Sequence, residues 1–561
     1  MIFEDIIVDM PAKKRITKYE KTHSKPYVYE IIARKNKDNP KEITRCVGVA
    51  TEDGHMHPNE NYFDLHPEAV EKKPENNPAE FDNQVHIGAS VLLRAAARKI
   101  GLKETLDDCF PGYSELLQSL IEYYLVERDS TSQLFKYYLF DHYSELNYIP
   151  SDSTLSNFFN NKLSREDIKN FLNCWMKHRL QMMGPNAMVE VDFDSTNFNI
   201  NSPNVDSAEY GKAKVKEGLP QINVAYFLDR STGLPIYYDI YYGSINDMEH
   251  CKTAVGKIRA IDPKAKASFV LDRGYFSSGN LDFIEGNHFN YLCLGKDIDE
   301  FKRMVSVYPT HRIAKASQHI FGTIYGVKER GPVFKESGKE FYKYFYYDTS
   351  SIVTDLQYIQ SQAEYAAKFV LGKKDKTGHI YETYKKLVNM EFDDKKVIIR
   401  ATPNEKYIDH YRDTCGYFWI ISNEDLTPKE VLEAYRHRDL IEKTFKSIKS
   451  DADLNKVYAT SDGSFESKSL MAFLTAVLRA EITITLKPYF IQYSSETSQT
   501  VLKEVEKIKA EELCGKYRLR YALTSKQKQI LSFYDLTLKD VSNYVDTINN
   551  LIPISNKADI R

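Results

Sequence analysis

The sequence predicts an α/β fold in which a mixed sheet is preceded by a helical domain and interrupted by a β-rich insertion. Three stretches predict it. Met188 to Ile200 (MVEVDFDSTNFNI) alternates apolar and polar residues with the period of a strand. Ser268 to Ser277 (SFVLDRGYFS) passes from a short apolar run through Asp-Arg-Gly towards a helix. Thr427 to Ser450 (TPKEVLEAYRHRDLIEKTFKSIKS) reads as one helix, with Thr427 as its cap, Pro428 at its first position and Glu430 completing a capping box.

Taken in order, residues 1–84 carry a predicted hairpin, Tyr27 to Ala33 with Thr44 to Val49, across the polar stretch Arg34 to Glu42. Between Lys13 and Arg45 there are eleven Lys/Arg against four acids, a basic arm that suits phosphate or, equally, a solvated segment. Asp53 to Asp82, rich in Pro, Asn and Glu, reads as a linker. Residues 85–186 form the helical domain, with amphipathic spacing at Ser90 to Ile100, Tyr113 to Glu127 and Arg165 to Leu180. Ser151 to Asn160 is expected to begin one helix of a helix-turn-helix, although a plain packing bundle fits the pattern as well.

Residues 187–295 follow as a first core segment. Glu190, Asp192 and Asp194 alternate along the first strand and so project from one face. Gln221 to Leu228 and Leu234 to Tyr242, joined by Asp229 to Gly233, read as a hairpin. A helix near Asp247 to Ala260, the Asp272 strand, another helix and a short strand near Tyr291 to Leu294 complete the segment. Three strands, a helix, a strand and a helix is the order of an RNase H-like core. Residues 296–412 are the β-rich insertion, with alternating runs such as Phe341 to Tyr347 and Lys396 to Ala401 and a helix near Thr354 to Leu371. Residues 413–490 resume the core with the Thr427 helix and an apolar helix at Ser469 to Leu478. Residues 491–561 read as a C-terminal helical region with a basic patch at Lys516 to Arg520.

Chemistry concentrates in three places. Adjacent acids on one strand face repel one another unless a cation or a basic partner compensates. Asp272 falls where an apolar strand gives way to a turn, the edge of a sheet at which α/β sites collect. On the Thr427 helix, Tyr435, Arg438, Glu442 and Lys449 stand at relative positions 0, 3, 7 and 14. At about 100° per residue they fall within roughly 60° of one another. Charge pattern alone would make this a solvated face. A carboxylate beside Arg and Lys is also what holds a hard metal ion and grips phosphate.

The spacing Y-x2-R-x3-E-x6-K, present here as Tyr435, Arg438, Glu442 and Lys449, resembles the signature of the IS4-type DDE transposases of insertion sequences. Asp194-x-Thr196 and Asp272-Arg-Gly resemble that group's other two acidic motifs. The N-terminal hairpin and the Asp-Arg-Gly form look most like the IS1634 branch, while Gly463 to Ser469 departs from it, carrying Lys468 where a Gly-His is the pattern. The resemblance implies a catalytic, metal-binding triad of Asp194, Asp272 and Glu442. By spacing alone Asp192 and Glu190 remain open in place of Asp194. It implies two Mg2+ or Mn2+ ions, in keeping with oxygen-only ligands. Tyr435, Arg438 and Lys449 are implied as DNA contacts, with Lys446 added from the same face. The implied activity is metal-dependent cleavage of double-stranded DNA at terminal inverted repeats and strand transfer into target DNA. That is cut-and-paste movement by a homodimer assembled on DNA, with a hairpin intermediate as one route. The helical domain is then expected to bind the DNA ends. A domesticated DNA-binding protein and a metal-dependent nuclease that cuts without joining are the alternatives.

Composition sets outer limits. A chain of 561 residues with 42% hydrophobic content has room for several cores. Its seven cysteines form no CxxC pair, which points to a reducing cytoplasm, with nucleoid association when on DNA. No apolar run suggests a membrane span. A net charge of −3 is unlike a uniformly basic DNA-binding protein, so any attraction for DNA must come from local patches.

Overall fold

The computed structural model describes residues 2, 7–17, 26–33, 43–66, 84–184, 188–200, 202, 204–211, 219–245, 247–335, 338–374, 384–438, 459, 461–514 and 516–551. The chain forms two compact units, Met1–Ser164 with Thr485–Arg561, and Arg165–Ile484. This division differs from the expected one. The helix Arg165–Met182, assigned by sequence to the helical domain, packs on the sheet of the second unit, where Trp175 donates to the Pro235 carbonyl at 3.1 Å.

The first unit begins with β1 (Val8–Asp9), β2 (Lys14–Ile16), β3 (Tyr27–Ala33), β4 (Ile43–Ala50) and β5 (His55–Pro58), ordered β1-β5-β4-β3-β2. The predicted hairpin is the antiparallel β3/β4 pair. The predicted linker is in part structured: β5 pairs with β4 and β1, and Asn59 caps a helix at Glu60–Leu65. Met56, fully buried with Val8, Val28 and Val47, supplies the reason, since alternate residues of this polar stretch still face a small core. After β6 (Gln84–His86) come helices Gly88–Lys99, Leu102–Cys109, Ser114–Glu127 and Ser132–Asp141. Ser151 caps a helix of six residues, Asp152–Asn157, which runs into a π-helical turn whose Phe158 and Phe159 are buried.

The second unit is built on a nine-stranded mixed sheet. Its strands are β7 (Met188–Asn199), β8 (Gln221–Asp229), β9 (Leu234–Tyr242), β10 (Lys266–Leu271), β11 (Asn290–Leu294), β12 (His319–Phe321), β13 (Ile324–Pro332), β14 (Glu340–Asp348) and, beyond a separate hairpin of β15 (Val388–Phe392) and β16 (Ile398–Pro403), β17 (Tyr417–Ser422). The order is β12-β13-β14-β17-β11-β10-β7-β8-β9. β10 runs parallel to both β7 and β11, and the other pairings are antiparallel. The region expected as an insertion therefore divides. β12 to β14 extend the sheet through β17, whereas the β15/β16 hairpin forms its own core with helices Ser351–Val370 and Glu405–Thr414. Alternation along β14 looks the same whether its partner is local or distant, so sequence could not show the join. Gly295 follows β11 where Trp419 crosses it, and a Cβ there would lie 2.0 Å from the indole nitrogen. Helix Asp462–Thr485 is buried as expected, packing Phe465 edge-on against Phe198 and Phe473 at a tilt against Tyr238.

The C-terminal part of the first unit is not all helical. Between Ser498–Glu506 and Ser525–Ser532 lie β18 (Lys509–Leu513) and β19 (Lys516–Leu519), and β18 pairs with β6. Most of the expected basic patch is thus a strand. Among the described residues, no helix is long and apolar enough to cross a membrane.

Candidate active site

Backbone register brings the first two acids together. The parallel β7/β10 ladder aligns Asp192 with Val270. Two residues further on, where β10 ends, Asp194 and Asp272 come level on neighbouring strands, about 4.8 Å apart in the pairing direction. Local bonds then aim them. Asp194 Oδ1 accepts from the Ser195 amide at 2.8 Å, and Asp272 Oδ1 from the Arg273 amide at 2.6 Å as it caps a 3-10 turn, Arg273–Tyr275. Buried Tyr275 ties that turn back to β7, donating to Ser195 Oγ at 3.2 Å.

The third element is the helix Pro428–Arg436. Thr427 Oγ1 accepts from the Glu430 amide at 3.2 Å and Glu430 Oε2 from the Thr427 amide at 2.8 Å, the capping box expected from sequence. Val431 and Leu432 bury themselves with Val270, Leu292, Tyr344 and Tyr346. Two tyrosines of β14 secure the helix entry: Tyr344 donates to the Glu424 carbonyl at 2.7 Å and Tyr346 to the Pro428 carbonyl at 2.8 Å. Glu424 in turn accepts from Ser268 at 2.9 Å and Asn290 at 2.7 Å, on β10 and β11. A helix fixed this way to the strands delivers Tyr435 and Arg438 to the acids.

Arg438 bridges the two carboxylates. One terminal nitrogen donates to Asp194 Oδ2 at 2.6 Å, and the other lies 3.3 Å from Asp272 Oδ1 and 3.4 Å from the Tyr435 hydroxyl. Burial disfavours the guanidinium charge, but Asp194 and Asp272 outweigh it and hold the pKa above its ordinary value. Burial pushes the Tyr435 phenol up to about 12, so it remains a neutral hydrogen-bonding group.

Asp192 and Glu190 are engaged differently. Arg230, from the turn between β8 and β9, lies 3.1 Å from Asp192 and 3.6 Å from Glu190, and its own amide donates to the Glu190 carbonyl at 2.8 Å. Burial raises the Asp192 pKa despite Arg230, and its Oδ2 has no hydrogen bond among the described residues. Alternating acids on this face call for a cation or a basic partner, and Arg230, which the hairpin folds back over the strand and no local pattern marks, is the partner of Asp192 and Glu190. Tyr275 and Glu424 were missed as well, and no local pattern marks them. Glu442, Lys446 and Lys449 lie outside the described residues.

The donor set fits a hard divalent cation. Two converging carboxylates already hold one positive charge between them, and all the donor atoms they offer are oxygens, which suit Mg2+ or Mn2+.

A family model described as the transposase DDE domain matches residues 185–478. No curated protein matches. Among solved structures, the chain is similar to one described as the cryo-EM structure of piggyBac transposase synaptic complex with hairpin DNA, at 10% identity and a TM-score of 0.34 over 83% of each chain.

Proposed function

The chain belongs to the transposase DDE-domain family, and we propose that it is an active transposase of the IS4 type, built on an RNase H-like core, that cuts double-stranded DNA at insertion-sequence ends and joins those ends to target DNA. The observation that carries the proposal is the Arg438 bridge between Asp194 and Asp272, which presents a cation-demanding acid pair and a phosphate-binding group at one sheet edge. Asp194, Asp272 and Glu442 would hold two Mg2+ or Mn2+ ions. Bound there, the ions would lower the pKa of an attacking water or 3′-hydroxyl and stabilise the departing oxygen.

The chain's own residues orient the substrate. Arg438, once released by the acids, offers a planar pair of donors to a DNA phosphate. Tyr435 stays protonated and positions that guanidinium. Lys446 and Lys449 extend the phosphate contacts along the strand. Two copies holding two ends give cut-and-paste movement by a homodimer in the cytoplasm, on the nucleoid when DNA is bound.

The test uses purified protein, Mg2+ and linear duplexes carrying the DNA that flanks its gene, with strand ends mapped for wild type and Glu442→Gln. Metal-dependent breaks at the boundaries of flanking inverted repeats, absent in the variant, are the expected result. Binding without breaks would make the chain a DNA-binding protein, and breaks at arbitrary positions would make it a nuclease.

A further inference from the structure

We propose that the first unit contains a structural site for a zinc-type divalent cation, formed by His86, His142 and Glu506 and separate from the acidic centre. These residues come from β6, from the end of helix Ser132–Asp141 and from the last residue of helix Ser498–Glu506. One ligand atom from each lies within 4.8 Å of the others. Among the described residues no other group of three His, Cys, Asp or Glu side chains converges in this way.

The surrounding bonds prepare His142 as a ligand and hold His86 beside it. His142 Nδ1 lies 2.6 Å from Asp141 Oδ1 and 3.0 Å from the Tyr138 carbonyl. His86 Nδ1 lies 2.7 Å from the Glu506 carbonyl. Facing acceptors, each Nδ1 carries a proton, and a cation binding at His142 Nε2 takes the place of the proton that this nitrogen otherwise shares with Glu506. A carboxylate or carbonyl behind each ligating histidine is the usual support for a metal-bound imidazole. His142 Nε2 is 3.4 Å from Glu506 Oε1, close to the ligand separation of about 3.3 Å that zinc bonds of 2.0–2.1 Å impose in a tetrahedron. His86 stacks on His142 at 4.7 Å and must turn to ligate, giving up its contact with the Glu506 carbonyl, which its partly exposed position permits.

The pocket favours a cation. Asp141, Glu506 and Glu127 surround it, and Glu127 is held above its ordinary pKa by burial and by the negative charge of Glu506 and Asp141, with His142 opposing. Opposing positive charge reaches His86 from His142 and from Lys509 on β18. A cavity of about 240 Å³ with an acidic lining, Glu127, Asp129 and Asp141 together with Tyr138, lies on the Asp141 side of His142. The Tyr138 hydroxyl is buried there with no hydrogen-bond partner among the described residues. Zinc in this place would clasp the two ends of the unit, since His86 and Glu506 are 420 residues apart. Closing so long a loop removes denatured-state entropy.

The experiment uses the full chain, stripped with chelator, in an Asp194→Asn background that weakens the catalytic metal centre. Titration should show one equivalent of Zn2+ bound and a raised melting temperature, and Co2+ should give the visible bands of a tetrahedral site. Glu506→Gln, which keeps the shape and the carbonyl that His86 uses, should lose all three signals. Asp141→Asn should weaken zinc binding roughly 10- to 100-fold. Should His142→Asn fail to fold, Glu506→Gln still decides. Absence of a zinc-dependent melting shift, or its persistence in Glu506→Gln, overturns the site. Failure here leaves DNA cleavage untouched, so the two proposals fall separately.

Discussion

Arg438 occupies the position where a divalent cation would neutralise Asp194 and Asp272, so removing it should tighten metal binding rather than weaken it. The two contacts are 2.6 Å and 3.3 Å, and the arginine side chain is only 12% exposed. A hydrogen bond to a charged partner is worth about 1.5–3 kcal/mol net. Admitting a cation between the carboxylates forfeits at least the Asp194 bond, a cost that wild type carries and Arg438→Met does not. At 1.4 kcal/mol per factor of ten, the variant should bind Mn2+ roughly 10- to 100-fold more tightly. Repulsion between the two uncompensated carboxylates in the empty site acts in the same direction. The assay is calorimetric titration of Mn2+ into DNA-free full-length protein at neutral pH, with Asp194→Asn as the variant that loses binding. The same Arg438→Met protein should be poor at strand transfer, because it lacks the guanidinium proposed to hold a DNA phosphate. An unchanged or weaker Mn2+ affinity would refute the idea that the arginine stands in for the metal.

Four further outcomes follow from particular contacts. Arg94, 1% exposed, faces Glu122 at 3.0 Å, Glu115 at 2.5 Å and Glu145 at 3.1 Å. Arg94→Met should therefore destabilise the first unit by about 3–5 kcal/mol in urea unfolding, and Glu122→Gln should partly rescue it. Gly295→Ala places a methyl group 2.0 Å from the Trp419 indole nitrogen and should cost about 1–3 kcal/mol, read in the same way. Burial opposes charging of His142, but its contacts with Asp141 and Glu506 prevail and raise its pKa from 6.5 to about 9. In metal-free protein this stabilisation is complete below 6.5 and is lost as pH rises through about 9, so the melting temperature should fall across that window and Asp141→Asn should flatten the fall. Asp192→Ala strands the 3%-exposed Arg230 and should cost about 3–5 kcal/mol, whereas Asp194→Asn should unfold like wild type and lose only metal and cleavage.

Local chemistry was legible in the sequence. The capping box at Thr427, the alternation of β7 and the order of β7 to β11 are set by residues close to one another in the chain. So was the demand of three aligned acids for a positive partner. What could not be read was set by distant pairing. β14 joins the sheet through β17, some seventy residues on, and β18 reaches back to β6. The acidic face has two partners, Arg230 from a turn and Arg438 from a helix, and only the fold says which arginine meets which acid. The His86, His142 and Glu506 cluster escaped notice for the same reason, since its members share no sequence window.

That assignment of arginines separates the acids more sharply than motif spacing does. Asp192 and Arg230 are both nearly inaccessible, at 1% and 3% exposure, and Arg230 is tied to its own turn through the Glu190 carbonyl. A charge pair enclosed in that way cannot open without breaking the β8/β9 hairpin, so Asp192 is committed to the sheet. Asp194 and Asp272 are 16% and 39% exposed, and their arginine comes from just beyond the last turn of a helix rather than from the sheet. Moving Arg438 aside requires only a side-chain rotation and leaves its desolvation cost to be recovered at a phosphate. An acid whose counter-ion can leave is one that can exchange it for a metal, and on that ground the proposed catalytic pair is Asp194 with Asp272 rather than Asp192 with Asp272.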